Sequence, residues 1–194
     1  MGVNVLTCDN NAQIYNLSDW NRRQSNKKLV EDYPFLLPRI LSTDTISDDY
    51  DYQYTLFDDI PFGWREDFGV EMCEEMKKVL EKYNMLNDYR IFQLKEKFGE
   101  LRIYGNWGNE EFDAVIKKYT DYSKTVCYRC GDRADFYDMY KTGCPICHHC
   151  AEELDKQNHL CLDLLIPIDF YLEELKQNKN LKQICKEHKE RRKD

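Results

Sequence analysis

The stretch CYRCGDRADFYDMYKTGCPICHHC (residues 127–150) decides the fold of the second half of the chain. It concentrates five cysteines and two histidines in 24 positions. A Cys-x2-Cys turn brings two sulfurs to one point, which is what tetrahedral zinc ligation requires. Cys127 and Cys130 form one such turn, and the glycine after Cys130 leaves the backbone free to fold back toward the thiolates. We therefore expect a metal centre in this stretch.

The second pair of ligands has two possible assignments. Pairing Cys144 with Cys147 would place Pro145 inside the turn, where it removes a backbone N–H that can donate to sulfur. Pairing Cys147 with Cys150 avoids this and allows a helix to begin directly afterwards, at Ala151. The zinc-ribbon spacing predicts four ligands, namely Cys127, Cys130, Cys147 and Cys150.

Four thiolates favour a structural Zn²⁺ over a catalytic one. They close the coordination sphere, whereas a catalytic zinc keeps a position open for water. We call the turns at residues 127–130 and 147–150 the first and second knuckles. His148 and His149 lie inside the second knuckle, and the sequence leaves open whether either histidine or Cys144 replaces a proposed ligand. No His-x-Glu precedes the cysteines as in zinc deaminases, and no phosphate-binding or nucleophile motif occurs. We expect no enzymatic activity.

The composition narrows the class of protein. Nine cysteines, an odd number with five close together, indicate a reducing compartment rather than disulfides. No run approaches the roughly 18 apolar residues of a membrane helix. The N-terminus lacks the basic and apolar regions of a signal peptide. We expect a cytoplasmic protein without membrane association.

Charge is unevenly distributed over a chain with a net charge of −8. Residues 44–75 contain eleven acids and one base, whereas residues 176–194 contain eight bases and three acids. This division argues against a broad basic surface for nucleic acid and leaves the C-terminal tail as the candidate for such contact.

The acidic region also contains DDYDYQYTLF, in which tyrosines alternate with polar residues. A period of two predicts a strand over residues 50–56 with one buried face. Its carboxylates and tyrosines are our candidate partner-binding surface, although a solvated strand edge would look the same. The candidate residues are Asp48, Asp49, Tyr50, Asp51, Tyr52, Asp58 and Asp59.

Two amphipathic helices are predicted, over residues 67–83 and 110–124. Between them, YRIFQLKEKFGELRIYGNW predicts a β-hairpin that turns at Lys97–Glu100, where Gly99 is free to take a positive φ. The inward positions are Val70, Cys73, Met76, Val79, Leu80 and Tyr83 in the first helix, and Phe112, Val115, Ile116, Tyr119 and Tyr122 in the second.

The predicted fold class is α+β, with amphipathic helices around a small antiparallel hairpin, a four-cysteine zinc-ribbon module and a helical C-terminus. We divide the chain into an N-terminal arm (residues 1–30), an α+β body (31–124), the zinc-ribbon module (125–158) and a helical C-terminal extension with a basic tail (159–194). The arm is polar, and we expect it to be loosely held or to form a short strand and helix.

Residues 31–154 resemble a group of small, mostly uncharacterised proteins of phages, prophages and bacteria. The resemblance rests on EDYPFLLPR, on DDYDYQYTLFDDIPFGW and, most specifically, on the KEKFG-x-LR hairpin followed by CxxCG…CxxCA. Members of that group typically have an aromatic residue where this chain has Cys144, which implies Cys147 and Cys150 as the second pair. The resemblance implies a phage or mobile-element context and no established activity.

Small phage proteins without enzymatic motifs commonly act by binding a host protein. The leading hypothesis is therefore a non-enzymatic protein that binds a host macromolecule. Its most specific version is inhibition of a bacterial antiviral defence system. The alternative is a nucleic-acid-binding or transcription-modulating zinc ribbon that uses Arg129, Arg133 and the basic tail.

Overall fold

Helices and two small antiparallel sheets alternate in the computed structural model, which describes residues 10–40, 42–139, 141–157, 162–177 and 179–191. The predicted α+β fold class is confirmed. Six helices occur in the described residues: α1 (Asn10–Asp32), α2 (Val70–Lys82), α3 (Glu110–Ser123), α4 (His148–Lys156), α5 (Ile168–Lys176) and α6 (Leu181–Arg191).

Five strands build the two sheets. β1 (Ile91–Lys97) and β2 (Glu100–Gly105) form an antiparallel hairpin. In the second sheet, β3 (Phe136–Asp138) lies between β4 (Cys144–Ile146) and β5 (Ile166–Pro167) and runs antiparallel to both. The sheet therefore includes β5, which follows the cysteine-rich stretch (residues 127–150) in the sequence.

The hairpin turns where the sequence predicts. Lys97 pairs with Glu100, so the loop consists of Phe98 and Gly99 alone. Both residues have positive φ, 57° and 78°, which is the conformation of the two-residue turns that match the twist of the strands. The Gly99 amide also donates to a Glu96 carboxylate oxygen at 2.7 Å. The turn is thus fixed by its own residues.

Helix α2 continues a helical turn (Phe62–Trp64) and a π-helical turn (Arg65–Gly69). The predicted inward face is only partly correct, because Val70 and Tyr83 are 51% and 43% exposed. Gly69 faces the core instead of Val70, since an added Cβ at Gly69 would lie 2.2 Å from the Phe57 ring. Five side chains of α2 are buried: Met72, Cys73, Met76, Val79 and Leu80.

Helix α3 begins at a side-chain cap, because Asn109 Oδ1 accepts a hydrogen bond from the Phe112 amide at 2.8 Å. Of the predicted inward residues, Phe112 and Tyr119 are buried. Tyr122 is mostly exposed, and its ring meets the edge of Phe68. The helix was predicted correctly, and so was its inward face apart from Tyr122, since Val115 and Ile116 are half-buried against the core.

The strand predicted over residues 50–56 is wrong. Tyr52 has a φ of +65°, which an extended strand does not contain. Asp51 Oδ1 accepts from the Gln53 amide at 3.1 Å, forming a local turn that competes with strand pairing. The chain then enters a 3₁₀ helix at Leu56–Asp59. The alternation of tyrosines thus reflects a turn-rich segment.

The core of the body is aromatic. The helices and the hairpin meet around side chains with less than 2% exposure, each worth about 1.5–3 kcal/mol when removed from water. The largest of them are Trp64, Tyr89, Tyr119, Phe35, Phe68 and Phe112. The EDYPFLLPRI segment docks here through a 3₁₀ helix, Pro34–Leu36, which buries Phe35 and Leu36. The N-terminal arm is helical from Asn10, and residues 1–9 lie outside the described residues.

Candidate metal centre

Four cysteines converge in the second half of the chain. The sulfur atoms of Cys127, Cys130, Cys147 and Cys150 all lie within 4.8 Å of one another, and those of Cys130 and Cys147 are 3.5 Å apart. A tetrahedral zinc with Zn–S distances of about 2.3 Å needs sulfurs about 3.8 Å apart. The cluster is therefore the right size for a single metal ion, and the four residues are those that the ribbon spacing predicts.

The first knuckle is a tight backbone loop. The Cys127 amide donates to the Asp132 carbonyl oxygen at 2.7 Å, and the Gly131 amide donates to the Cys127 carbonyl oxygen at 3.1 Å. Gly131 has a φ of +89°, which a side chain would strain. The glycine after Cys130 therefore has the role that the sequence indicates.

The second knuckle is the beginning of α4. Cys147 caps this helix, and its sulfur accepts a hydrogen bond from the Cys150 amide at 3.4 Å. The helix begins at His148 rather than at Ala151, so Cys150 lies in its first turn. Asp135 holds the helix end from outside, because its Oδ2 accepts from the His148 amide at 2.7 Å. Sequence analysis missed Asp135, whose role depends on a contact 13 residues away.

The other possible ligands point elsewhere. His148 and His149 are exposed and lie beside Glu152 and Glu153, one helical turn further on. Cys144 is buried in β4, where its thiol donates to the Thr142 carbonyl oxygen at 3.6 Å. None of these three side chains belongs to the four-sulfur cluster.

The six cysteines whose side chains are described form no disulfide. Cys73 lies in the core of the body, at an inward position of its helix as the sequence predicts. Three further cysteines lie outside the described side chains: Cys8, Cys161 and Cys185.

The thiols of the cluster differ in how easily they ionise. Burial opposes ionisation of the Cys127 thiol, yet the backbone N–H groups directed at its sulfur outweigh this and lower its pKa. Burial raises the pKa of Cys130, and it raises that of Cys150 to about 12. One thiolate is thus favoured, and further negative charge beside it is opposed. A divalent cation reverses that balance, because a coordinating thiol is deprotonated outright.

The first knuckle is bonded to the body through the backbone. The Gly63 amide donates to the Tyr128 carbonyl oxygen at 2.9 Å. An added Cβ at Gly63 would lie 2.2 Å from the Cys127 carbonyl oxygen, so only glycine permits this approach. Beside it, the Trp64 indole Nε1 donates to the Val126 carbonyl oxygen at 3.0 Å. The cysteine cluster is therefore built onto the helical turn that precedes α2.

The tip of the β1–β2 hairpin makes a second contact between the body and residues 125–158. An added Cβ at Gly99 would lie 2.4 Å from the Tyr137 ring and 2.9 Å from the Gly143 carbonyl oxygen. Tyr137 in β3 also stacks on Tyr171 of α5, with ring centroids 3.9 Å apart. The hairpin tip, the second sheet and the C-terminal part thus meet at one buried tyrosine.

The candidate partner-binding residues fall into two groups. Asp48, Asp49 and Asp59 are exposed. Asp51 is exposed as well, although it pairs with Arg23 at 3.0 Å, and Asp59 is hydrogen-bonded to Tyr54. Asp58, in contrast, stabilises the local fold. The Asp58 carboxylate accepts from the Thr55 amide at 2.8 Å, and it also pairs with two arginines.

The two tyrosines of the candidate surface pack against each other. The rings of Tyr50 and Tyr52 are 4.9 Å apart, and both side chains are half-buried. Tyr52 lies against the core of the body, and Asn26 of α1 donates to its carbonyl oxygen at 2.8 Å. The freely available part of the candidate surface is therefore acidic rather than aromatic.

Of the two arginine candidates beside the cysteines, Arg133 is exposed, whereas Arg129 makes local contacts. Arg129 donates to the Cys150 carbonyl oxygen at 3.3 Å and lies 3.6 Å from Glu153. In the C-terminal part, Lys186 pairs with Glu190 one turn along α6. Residues 192–194 of the basic tail lie outside the described residues.

No helix in the described part of the chain is both long enough and apolar enough to cross a membrane. Comparison with protein-family models, with curated proteins and with solved structures gave no match for this chain. The four-sulfur cluster and its attachment to the body are therefore the observations on which a function must be argued.

Proposed function

We propose that Cys127, Cys130, Cys147 and Cys150 hold a structural Zn²⁺. The observation that carries this proposal is the convergence of four sulfurs within 4.8 Å on two knuckle turns. Thiolate ligands suit zinc among the biologically common divalent ions. When bound, zinc neutralises the thiolates and crosslinks the first knuckle to α4. Metal ligation of this kind contributes on the order of 10 kcal/mol to the folding of small modules.

We further propose that the protein has no enzymatic activity and acts by binding a host macromolecule. Support comes from the donor set, since four thiolates fill the positions that a catalytic zinc would leave for water. The resemblance to phage and prophage proteins supports a bacterial cytoplasmic setting. In its most specific version, the proposal is that the protein inhibits a bacterial antiviral defence system.

The exposed acids provide the first surface to test for partner binding. Asp48 and Asp49 are exposed side chains next to the half-buried Tyr50. Carboxylates in this setting complement a basic groove on a partner, such as one that normally accepts nucleic acid. Rim charges of this type act mainly on the rate of association and on its salt dependence.

The experiment combines metal analysis with partner capture. Elemental analysis of the purified chain should give one zinc per molecule; less than half an equivalent after expression with added zinc would contradict the metal proposal. Tagged wild-type protein and an Asp48→Lys/Asp49→Lys variant are then recovered from nuclease-treated bacterial lysate. A host protein retained at equal stoichiometry by the wild type and lost from the variant supports the binding proposal. Retention of nucleic acid alone, in lysate without nuclease, would favour the alternative.

A further inference from the structure

A cavity of about 310 Å³ lies in the body, apart from the metal centre. Its walls come from the segment after the first 3₁₀ helix, from the chain around Tyr54 and from the beginning of β1. Its volume falls at the lower end of the range of small-molecule pockets. None of the four clustered cysteines and none of Asp48, Asp49 and Asp51 lines it.

Two arginines line this cavity and differ from the other arginines of the body. Five arginines have a buried Nε without a hydrogen-bond partner in the described residues: Arg23, Arg39, Arg65, Arg90 and Arg102. Three of these pair with a carboxylate through another nitrogen. Arg39 and Arg90, the two in the cavity, have no such close pair in the described residues. The nearest carboxylate oxygen to Arg39 is that of Asp44, 4.0 Å away and on an exposed side chain.

Backbone contacts hold both guanidinium groups in place. Arg39 Nη1 donates to the Asp44 carbonyl oxygen at 2.7 Å, and Arg90 Nη1 donates to the Tyr89 carbonyl oxygen at 2.7 Å. A guanidinium carries five N–H donors in a rigid fork, so each keeps donors for a ligand. Orienting the groups in advance reduces the entropy that binding would cost.

The remaining wall of the cavity consists of the exposed Asp44 and of apolar side chains that are partly exposed. Ile40, Tyr54 and Phe92 line it and are 46%, 37% and 52% exposed. Ile40 is held by its backbone, because its amide donates to the Thr45 carbonyl oxygen at 2.9 Å. Aromatic and aliphatic surface beside two guanidinium groups suits a molecule with one flat apolar part and one anionic part.

We propose that this cavity binds a small ligand in which a carboxylate or a phosphate is joined to an aromatic ring. Arg39 and Arg90 take the oxyanion, because the guanidinium fork matches the geometry of both anions. Phe92 and Tyr54 contact the ring. The chain has a net charge of −8, so the attraction for an anion here is local to these two arginines. The proposal is independent of the metal centre and of the partner surface.

The first test is a ligand series on the wild-type chain, followed by amide chemical shifts. The probes are N-acetyl-L-phenylalanine, phenyl phosphate, the uncharged N-acetyl-L-phenylalaninamide, and acetate as an anion without a ring. We expect saturable shifts in residues 38–40 and 90–92 with the two aromatic anions, at dissociation constants of about 1 mM or tighter. Whichever of the two binds more tightly identifies the anion.

The second test uses matched arginine variants. Arg39→Gln and Arg90→Gln should each weaken binding by about tenfold, since a hydrogen bond to a charged group is lost. Arg102→Gln is the control, because Arg102 lies on the neighbouring strand, pairs with Glu100 and does not line the cavity. It should change binding by less than about twofold. Unchanged zinc content and circular dichroism confirm that each variant is folded.

Three results would overturn the proposal. The first is equal affinity for N-acetyl-L-phenylalanine and its amide, which would leave no role for the arginines. The second is a loss in Arg102→Gln as large as in Arg90→Gln. The third is the absence of saturable shifts in residues 38–40 and 90–92 up to about 10 mM. If an arginine variant does not fold, the affinities of the wild-type chain for N-acetyl-L-phenylalanine and for its amide still show whether the cavity selects an anion.

Discussion

The indole of Trp64 donates its hydrogen bond to the carbonyl oxygen of Val126, the residue directly before Cys127. Trp64 is fully buried in the core of the body. The largest side chain of that core is therefore bonded to the segment that presents Cys127. We therefore expect a substitution that destabilises residues 125–158 to destabilise the helical turn before α2 as well, and the reverse.

Gly63→Ala tests this attachment. An alanine Cβ would lie 2.2 Å from the Cys127 carbonyl oxygen and 2.5 Å from the Gly131 nitrogen, both backbone atoms. We expect a loss of about 1–3 kcal/mol or more in the free energy of unfolding, which lowers the melting temperature by roughly 2–12 °C. Gly108→Ala is the control, since its Cβ would meet mainly the end of the flexible Asp113 side chain. Equal melting temperatures for the two variants would contradict the proposed coupling.

Single cysteine substitutions separate ligands from bystanders. Cys127→Ser should lose bound zinc and lower the melting temperature, because the remaining three thiolates hold the metal more weakly. Cys144→Ser should keep one equivalent of zinc, since Cys144 is outside the cluster. Metal content by elemental analysis and thermal unfolding by circular dichroism measure both effects. Full zinc content in Cys127→Ser together with loss in Cys144→Ser would reassign the ligand set.

The acidic segment should divide into surface and structural carboxylates. Asp48→Lys/Asp49→Lys should leave the unfolding free energy within about 0.5 kcal/mol of the wild type. Asp58→Ala should cost about 1–2 kcal/mol, because Asp58 closes a capping box with Thr55 and pairs with Arg22 and Arg65. Chemical denaturation compares the two. A stable Asp58→Ala variant would show that the cap is dispensable.

Buried phenols should make the protein sensitive to alkaline pH. Burial raises the pKa of Tyr171 to about 12, and it raises those of Tyr89 and Tyr137 further above the ordinary 10.0. The folded state therefore retains phenol protons that the unfolded state releases. This stabilisation is fully present below pH 10 and declines as the pH rises above it.

Tyrosinate absorbance measures this directly. In the native protein, part of the absorbance change of the 14 tyrosines should appear only around pH 12 and above, or upon unfolding, whereas in denaturant it should appear in one step near pH 10. A single native transition near pH 10 would show that these rings are accessible to solvent.

Features set by neighbouring residues were predictable from the sequence. The hairpin turn follows from Gly99, whose freedom of φ is a property of one residue. The cysteine cluster follows from spacing, because a Cys-x2-Cys turn brings its own two sulfurs together. The hairpin turn and each Cys-x2-Cys turn need no distant contact, whereas bringing Cys130 and Cys147 together requires a contact across 17 residues.

Features set by distant contacts were not predictable. The role of Gly63 depends on residues more than 60 positions further along the chain, and nothing next to it in the sequence indicates a backbone neighbour. The alternation around Tyr52 indicated a strand, but the side chain of Asp51 forms a turn that cancels the pattern. The pairing of Arg39 and Arg90 in one cavity likewise appears only once the chain is folded.

Strand β5 also determines the order in which the protein can assemble during synthesis. All four clustered cysteines leave the ribosome before Ile166, the residue that pairs with Tyr137 of β3. If the four thiols bind the proposed metal, a nascent chain can do so while the edge of β3 is still open, and an open edge is prone to aggregation. A chain that ended before Ile166 would keep the four cysteines but leave that edge of β3 uncovered. Binding of the proposed metal and protection of β3 would then be separate steps in assembly.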